Sequence, residues 1–419
     1  MTRLAELRAI VGNDHARTAV AGDTLDGVRP RFVATPGSVG EVSELLRLAG
    51  SSRWSVAPAG SGTKRGWGNP PTSLDLVLNT RRLDRMIEHS EGDLVVSAEA
   101  GMTLDSLQTH LEGAGQMLAL DPEDTDSTLG GLIAANASGP RRFRYGTVRD
   151  LLIGITIVLA DGTVAKSGGK VVKNVAGYDL GKLFTGSLGT LGVIVGATFR
   201  LHPRPATSRL VKTDVGDAEA VGAALRRILR SSLVPSAINL LADKDTIGQI
   251  GILFEGIEPG AEAQAKTAAG LLQGDRDPSV FRGEAAMERW RDLAESSPED
   301  APVTLKVTCL PAELPDVLKR VNEAAKRCRM TTRVRGQIGN GVLLVGLSVD
   351  ETSQVVEMVT DLRNFAHEGS VVVLEAPVEV KRRIDTWGSV GDALPLMRKV
   401  KEQFDPAGVL NPGRFVGRI

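Results

Sequence analysis

The sequence predicts an α+β protein of two domains, the first holding a ligand by its backbone and the second built on an antiparallel sheet. Three observations lead there. The chain has 419 residues, too many for one ordinary core. Its 47 glycines concentrate before residue 200, in loops where a missing Cβ lets the main chain come close to another group. After residue 205 the apolar pattern runs strand-helix-strand-strand-helix twice, with a closing strand plain only in the second pass.

Composition narrows the function classes. A hydrophobic content of 42% and a charged content of 24% are those of a soluble globular chain. The net charge of −1 gives no reason to expect nucleic acid or an anionic membrane as a global partner. The longest apolar runs, such as 151–160, fall far short of a membrane span, and Met1-Thr2-Arg3-Leu4-Ala5-Glu6 has no signal-peptide pattern. A cytoplasmic location is expected. Cys309 and Cys328 are too few to hold a cluster, and a disulfide is not expected in such a compartment. His15, His89, His110, His202 and His367 show no paired spacing, so no metal is expected.

Residues 1–27 read as a polar lead-in with a loose helix. Ser38-Val39-Gly40-Glu41 is a capping box, and Val42, Leu45, Leu46 and Ala49 follow at helical spacing with Gly50 as the stop. Residues 55–58 form a strand feeding a glycine-rich loop; 74–79 and 93–98 read as strands. Leu104, Leu107 and Leu111 mark a helix face that ends at Gly113. Residues 151–160 form a strand that turns at Asp161-Gly162 and returns over 163–167. A strand running to Leu201 is followed by the breakers His202-Pro203-Arg204-Pro205, the expected domain boundary. Beyond it strands are expected at 210–215, 237–241, 250–254, 303–308, 331–335, 342–347 and 371–374. Helices are expected at 218–229, 261–272, 284–294, 313–328 and 351–365. Two split βαβ units of this kind could join into one antiparallel sheet backed by helices. A helix at 394–403 and the tail 404–415 are expected to return to the first domain. The division is thus 1–27, 28–205, 206–390 and 391–419.

Four stretches could carry chemistry. In Asp126-Ser127-Thr128-Leu129-Gly130-Gly131-Leu132-Ile133-Ala134-Ala135-Asn136-Ala137-Ser138-Gly139, a short helix begins near Gly130 with Ser127 and Thr128 at the cap. Its free N–H groups would suit a phosphate; tight helix–sheet packing without a ligand fits the same residues. Pro58-Ala59-Gly60-Ser61-Gly62-Thr63-Lys64 matches neither a Walker A loop nor a Rossmann fingerprint, since Trp67, Asn69, Pro70 and Pro71 preclude a continuing helix. It reads as a nest of N–H groups, with hydroxyls from Ser61 and Thr63, suited to a pyrophosphate. Gly186, Gly189 and Gly192 lead into a strand and could let main-chain groups read a flat ring by its edge, or simply turn a strand corner. Lys173-Asn174 and Tyr178-Asp179 are either polar site residues or turn and cap residues.

Together these stretches resemble the FAD-binding fold of the vanillyl-alcohol oxidase/PCMH flavoprotein family, and within it the D-lactate/glycolate oxidase branch. Tyr145-Gly146, Asp150 and Val158-Leu159-Ala160-Asp161-Gly162 follow in the family's order. Phe404-Asp405-Pro406-Ala407-Gly408-Val409-Leu410-Asn411-Pro412-Gly413-Arg414-Phe415 is similar to its closing motif. Lys173-Asn174-Val175-Ala176-Gly177-Tyr178-Asp179-Leu180 and Trp387-Gly388 resemble the smaller FAD subunits of glycolate oxidases.

The resemblance implies a PCMH-type two-subdomain FAD-binding domain plus a smaller α+β cap domain with an antiparallel sheet. It implies FAD contacts from Pro58, Ala59, Gly60, Ser61, Gly62 and Thr63, from Ser127, Thr128, Gly130, Gly131, Ala134, Asn136, Ser138 and Gly139, and from Gly192, Ile194 and Asn411. The FAD would be non-covalent, because the first loop has no histidine and both cysteines lie in the second domain. The implied substrate is a 2-hydroxy acid such as glycolate. The implied partners are a second FAD subunit and an iron–sulfur subunit, through which any membrane association would be made. Catalytic members of the branch carry His-x-Gly-x-Gly and a later Glu-His-Gly. The matching places here read Gln337-Ile338-Gly339-Asn340-Gly341 and Glu375-Ala376-Pro377. Tyr178, Gln337 and Glu375 are therefore the catalytic candidates. Three functions stay open: oxidation of a 2-hydroxy acid at this chain's own flavin, an FAD subunit that relays electrons or supports a catalytic partner, and a stand-alone FAD oxidoreductase of another alcohol.

Overall fold

The computed structural model describes residues 2–169, 178–243, 247–273, 277–295, 301–349, 351–366 and 369–419. Lys173, Asn174, Val175, Ala176, Gly177 and His367 lie outside the described residues. The chain forms two units. The first comprises residues 2–138, Thr147–Arg204 and Ser389–Ile419; the second comprises Gly139–Gly146 and Pro205–Gly388.

Among the described residues, the first unit holds a four-stranded sheet, a five-stranded sheet and a two-stranded ladder. In the four-stranded sheet Ala16–Thr18, Phe32–Ala34, Leu76–Asn79 and Val56–Ala59 lie side by side, and the last three are parallel. The Val39–Ser52 helix makes the crossover that a parallel pair requires. Ser38 caps it by accepting the Glu41 N–H, and Val42, Leu45, Leu46 and Ala49 are its buried stripe. The helix runs past the expected stop at Gly50, because the left-handed residue that ends it is Arg53, at φ 53°.

The five-stranded sheet is antiparallel, in the order Met86–Ser90, Val95–Glu99, Val193–Arg200, Leu152–Val158, Val164–Gly168. The Asp161-Gly162 turn joins its last two strands, with Gly162 at φ 82°. The C-terminal tail closes the edge of the other sheet. The Val56 N–H donates to the Val409 carbonyl (2.7 Å), and the Asn411 N–H donates to the Val56 carbonyl (2.9 Å).

The second unit is one eight-stranded sheet. Its order is Ser279–Arg282, Thr207–Val215, Ile247–Gly256, Ala237–Asp243, Thr332–Gln337, Val342–Leu347, Val303–Thr308, Ser370–Glu375, and every neighbouring pair is antiparallel. The two halves repeat one topology and meet where Ala237–Asp243 pairs with Thr332–Gln337. The α+β class and the joined split-βαβ sheet expected from the pattern are both present. The closing strand of the first half is also present, as Ser279–Arg282. Only Val280 and Phe281 in it are apolar, too few to show a period.

Alternation sorts the sheet's side chains. Val211, Ile238, Ile252, Leu305 and Val345 pack into the large core with Leu225, Ala265, Val321 and Val359 of the Ala218–Leu229, Glu258–Leu272, Leu314–Arg327 and Thr352–Phe365 helices. On the other face Leu210, Ala237 and Leu253 pack against Ala286, Trp290 and Leu293 of the Gly283–Glu295 helix. That face also receives Gly139–Gly146. Arg141 clamps the fully enclosed Glu255 carboxylate at 2.6 and 3.3 Å, and Arg144 donates to the Glu255 carbonyl at 2.6 Å. Desolvation beside Glu255 pushes the Tyr145 phenol above its ordinary range.

Candidate functional site

The first unit contains a cleft whose floor is the end of the Val56–Ala59 strand and the loop that follows it. Of the residues expected there, Pro58, Ala59, Gly60, Ser61, Gly62, Thr63, Thr128, Gly130, Gly131, Ala134, Gly192, Ile194 and Asn411 all line it. Ser127, Asn136, Ser138 and Gly139 are not among the lining residues, and Gly139 belongs to the second unit. Sequence reasoning missed Leu25, Arg65 and Arg414, which also line the cleft.

The donors are not where the sequence suggests. The helix is Leu129–Ala135 with Thr128 as its cap, but its first N–H groups are spent inside the protein. Leu129 donates to the Met102 carbonyl (2.9 Å), Gly130 to the Ala100 carbonyl (2.8 Å), and Gly131 to Thr128 Oγ1 (3.2 Å). A Cβ on Gly130 would lie 3.0 Å from the Ala100 Cβ, so this glycine serves close helix–strand packing. The loop hydroxyls are committed as well: Ser61 donates to the Asp126 carbonyl, and Thr63 bonds Ser127 at 2.8 Å. They lace the two glycine-rich stretches together. By contrast, the N–H groups of Gly60, Ser61, Gly62 and Thr63 have no acceptor among the described residues. Lys64, Arg65 and Arg414 stand around them. Four such N–H groups on the loop that floors the cleft fit a diphosphate, while the Lys64 ammonium pairs with Asp124 and the Arg65 guanidinium reaches the carbonyls of residues 22–24.

At the other end, Leu188 (φ 48°) and Gly189 (φ 68°) are consecutive left-handed residues. The turn is pinned from two sides: Asn411 Nδ2 donates to the Leu188 carbonyl (2.7 Å), and Lys401 Nζ donates to the Thr190 carbonyl (2.7 Å). The Asn136 Oδ1, Ser187 Oγ and Asn411 Oδ1 atoms are buried with no hydrogen-bond partner. Such orphaned groups are expensive unless a ligand satisfies them.

Residues 30–168 match the family described as FAD binding domain, and residues 389–415 match the family of FAD linked oxidases, C-terminal domain. The chain carries the FAD-binding domain of the FAD-linked oxidase (PCMH-type) family. FAD is the cofactor, and the N–H groups of residues 60–63 and the orphaned Asn411 Oδ1 of the cleft fit it. The chain is 28% identical to glycolate oxidase subunit GlcD of Bacillus subtilis, over 93% of this chain and 89% of that one. It is 29% identical to glycolate oxidase subunit GlcE of Escherichia coli, over 90% of this chain and 97% of that one. A crystal structure of p-cresol methylhydroxylase with substrate bound shares the fold, with a TM-score of 0.77 at 14% identity, covering 98% of this chain and 95% of that one.

The three catalytic candidates lie on different elements. Tyr178 is in the first unit and is 93% exposed. Gln337 and Glu375 end two strands of the second unit's sheet. Gln337 is level with Val342, Thr308 and Ser370, whereas Glu375 is level with Thr304, Gly346 and Arg333. They therefore stand about 13 Å apart along the strands alone and do not form one site. The residue that sequence reasoning missed is Lys306, level with Arg335 and on the same sheet face as Gln337. Burial, with the nearby Arg142 guanidinium, pushes its ammonium down to about 8. Among the described residues it pairs with no carboxylate. A lysine between Leu305 and Val307, at the alternating position of a core strand, was the available signal.

Gly60 offers a direct test of the cleft. A Cβ there would collide with Thr128 Oγ1 and lie 2.9 Å from Thr128 Cγ2. Gly60→Ala should weaken FAD binding about 10–100-fold, the usual result of overpacking a tight site. Thr128→Ala removes the obstructing atoms, so the double variant should bind FAD better than Gly60→Ala alone, as read by flavin titration.

Proposed function

We propose that the protein is an FAD subunit of a glycolate (2-hydroxy acid) oxidase or dehydrogenase complex, of the smaller E-subunit type. It takes part in oxidising glycolate to glyoxylate and hands electrons on through a second FAD subunit and an iron–sulfur subunit. The observation that carries this reading is similarity to both GlcD and GlcE over nearly the whole length of each. FAD supplies the two-electron acceptor for the hydroxyl-bearing carbon. The loop 60–63 would hold its diphosphate, without a covalent link, and the pinned turn at Leu188-Gly189 lines the same cleft.

Lys306 supports an acidic substrate. A desolvated ammonium beside Arg142, with no carboxylate partner among the described residues, is poised for a carboxylate from outside. This observation also favours the second reading, a stand-alone oxidoreductase of D-2-hydroxy acids. Purification from the native source separates the two: the complex predicts co-purifying subunits with iron and a second flavin, and the alternative predicts a lone flavoprotein.

Lys306→Met should act in opposite directions on binding and on stability. Loss of the cation should raise the KM for a 2-hydroxy acid about 10–100-fold. The folded-state pKa, about 8, lies below the ordinary 10.5. Below pH 8 both states carry the charge and the folded state bears its desolvation; between 8 and 10.5 only the unfolded state keeps the proton, so stability rises with pH there. The methionine variant should melt higher at pH 7 and lose that rise, as read by thermal denaturation across pH 7–10.

A further inference from the structure

The segment that precedes the Phe32–Ala34 strand is tied to the cofactor cleft by one side chain. Arg65, at the end of the pyrophosphate loop, turns back to the carbonyls of Asp23 (2.6 Å), Gly22 (3.4 Å) and Thr24 (3.4 Å). Its own carbonyl accepts from Arg414 Nη2 at 2.7 Å, so the latch is anchored at its base. The aliphatic stem lies against Gly62, whose φ of 87° leaves no room for a side chain on that side.

The segment has one buried plug and an otherwise solvent-facing backbone. Leu25 is 4% exposed, packs with Ala57 and Val77, and lines the cleft. Ala21, Gly22 and Thr24 are exposed. Two devices hold its shape. Asp23 accepts the Val20 N–H (2.7 Å) and both guanidinium nitrogens of Arg17 (2.6 and 2.8 Å), which hold its carboxyl below the usual range. Leu25 and Val28 exchange two main-chain bonds of 2.9 Å across Asp26 and Gly27, at φ 45° and 81°. Consecutive positive φ values make this a tight two-residue hairpin turn.

We propose that residues 20–28 are a clasp over the FAD cleft, with Leu25 as the plug, Arg65 as the latch and the Arg17–Asp23 pair as the brace, and that FAD enters and leaves when the clasp lifts. Arg65 is thus a positioning residue, holding the clasp and the pyrophosphate loop to each other. Lifting the clasp breaks charge-assisted bonds to carbonyls and exposes Leu25 together with the half-buried Asp26 and Val28, an opening confined to one short segment.

The test uses the full-length holoprotein and follows FAD release by recovery of flavin fluorescence on dilution. Asp23→Ala and Leu25→Ala should each speed release about tenfold, from loss of one charged hydrogen-bond set or one buried plug. Both should speed FAD association by the apoprotein as well; Asp23→Ala should leave the apoprotein's melting midpoint near that of the parent, whereas Leu25→Ala empties a buried position and lowers it. Arg65→Ala should speed release at least as much, and Arg65→Lys should restore part of it. Asp23 does not line the cleft, so it separates clasp from direct contact. Acceleration in Arg65→Ala alone would overturn the proposal and make Arg65 a direct diphosphate ligand. Release rates within twofold of the parent, or faster release in Asp23→Ala that only follows a lower apoprotein midpoint, would overturn it too.

Discussion

Mixed anaerobically with glycolate, the FAD-loaded chain on its own is expected to bleach its flavin about 10²–10⁴-fold more slowly than the chain with its partner subunits, the range for a missing general base. Where the resembling family places a histidine, the second unit carries Gln337, and an amide accepts no proton at any working pH. Lys306, two strands away on the same sheet face and level with Arg335, is mostly protonated at pH 7 because its pKa stays near 8. Neither residue is set up to remove a hydroxyl proton, the amide because it has no basic site and the ammonium because its proton is already in place. Stopped-flow absorbance of the flavin reads the rate directly. Fast bleaching by the lone chain would reject the supporting role. Its pH profile would then name the base: a rise through pH 8 points to neutral Lys306, and loss in Glu375→Gln points to Glu375.

Asp405→Ala is expected to lower stability by about 3–5 kcal/mol, the scale for removing one partner of a buried ion pair. The Asp405 side chain is fully enclosed and accepts three bonds, from Lys401 Nζ (2.6 Å) and from the N–H groups of Val409 (2.9 Å) and Leu410 (2.8 Å). Burial already holds the Lys401 ammonium below its ordinary range, against the pull of Asp405. With the carboxylate gone, that ammonium and two N–H groups remain buried without their acceptor. The effect reaches the cofactor, because Lys401 also donates to the Leu410 and Thr190 carbonyls and so fixes the turn beside the cleft. Melting midpoint and FAD-to-protein ratio should fall together. A loss under about 1 kcal/mol, the scale of a surface pair, would show that the hub is not structural.

The glycine-rich stretches were legible because glycine spacing reports where a backbone must come close to something, which locates the cleft. What each stretch contributes was not legible, since it depends on distant carbonyls. The N–H groups of Leu129 and Gly130 look free in sequence and are taken by Met102 and Ala100. Arg65 and Arg414 gave no local signal, because their role rests on residues far along the chain. The split-βαβ halves were readable from two clear periods, helical and alternating. The Ser279–Arg282 and Met86–Ser90 strands were not, being short and only half-buried edges. Lys306 broke an apolar alternation that had been read only for secondary structure.

The closure of the first unit by Ser389–Ile419 sets an order of events during synthesis. Residues 2–204 emerge early, yet the Val56 edge and the Leu188-Gly189 turn stay unsupported until Val409, Asn411 and Lys401 arrive. All of Pro205–Gly388 is translated in between and can fold as a separate body meanwhile. The cleft is therefore fully supported only once the tail has been made. A nascent or prematurely terminated chain would expose an apolar, flavin-free groove to chaperones and proteases, so that cofactor retention doubles as a check that translation reached the tail.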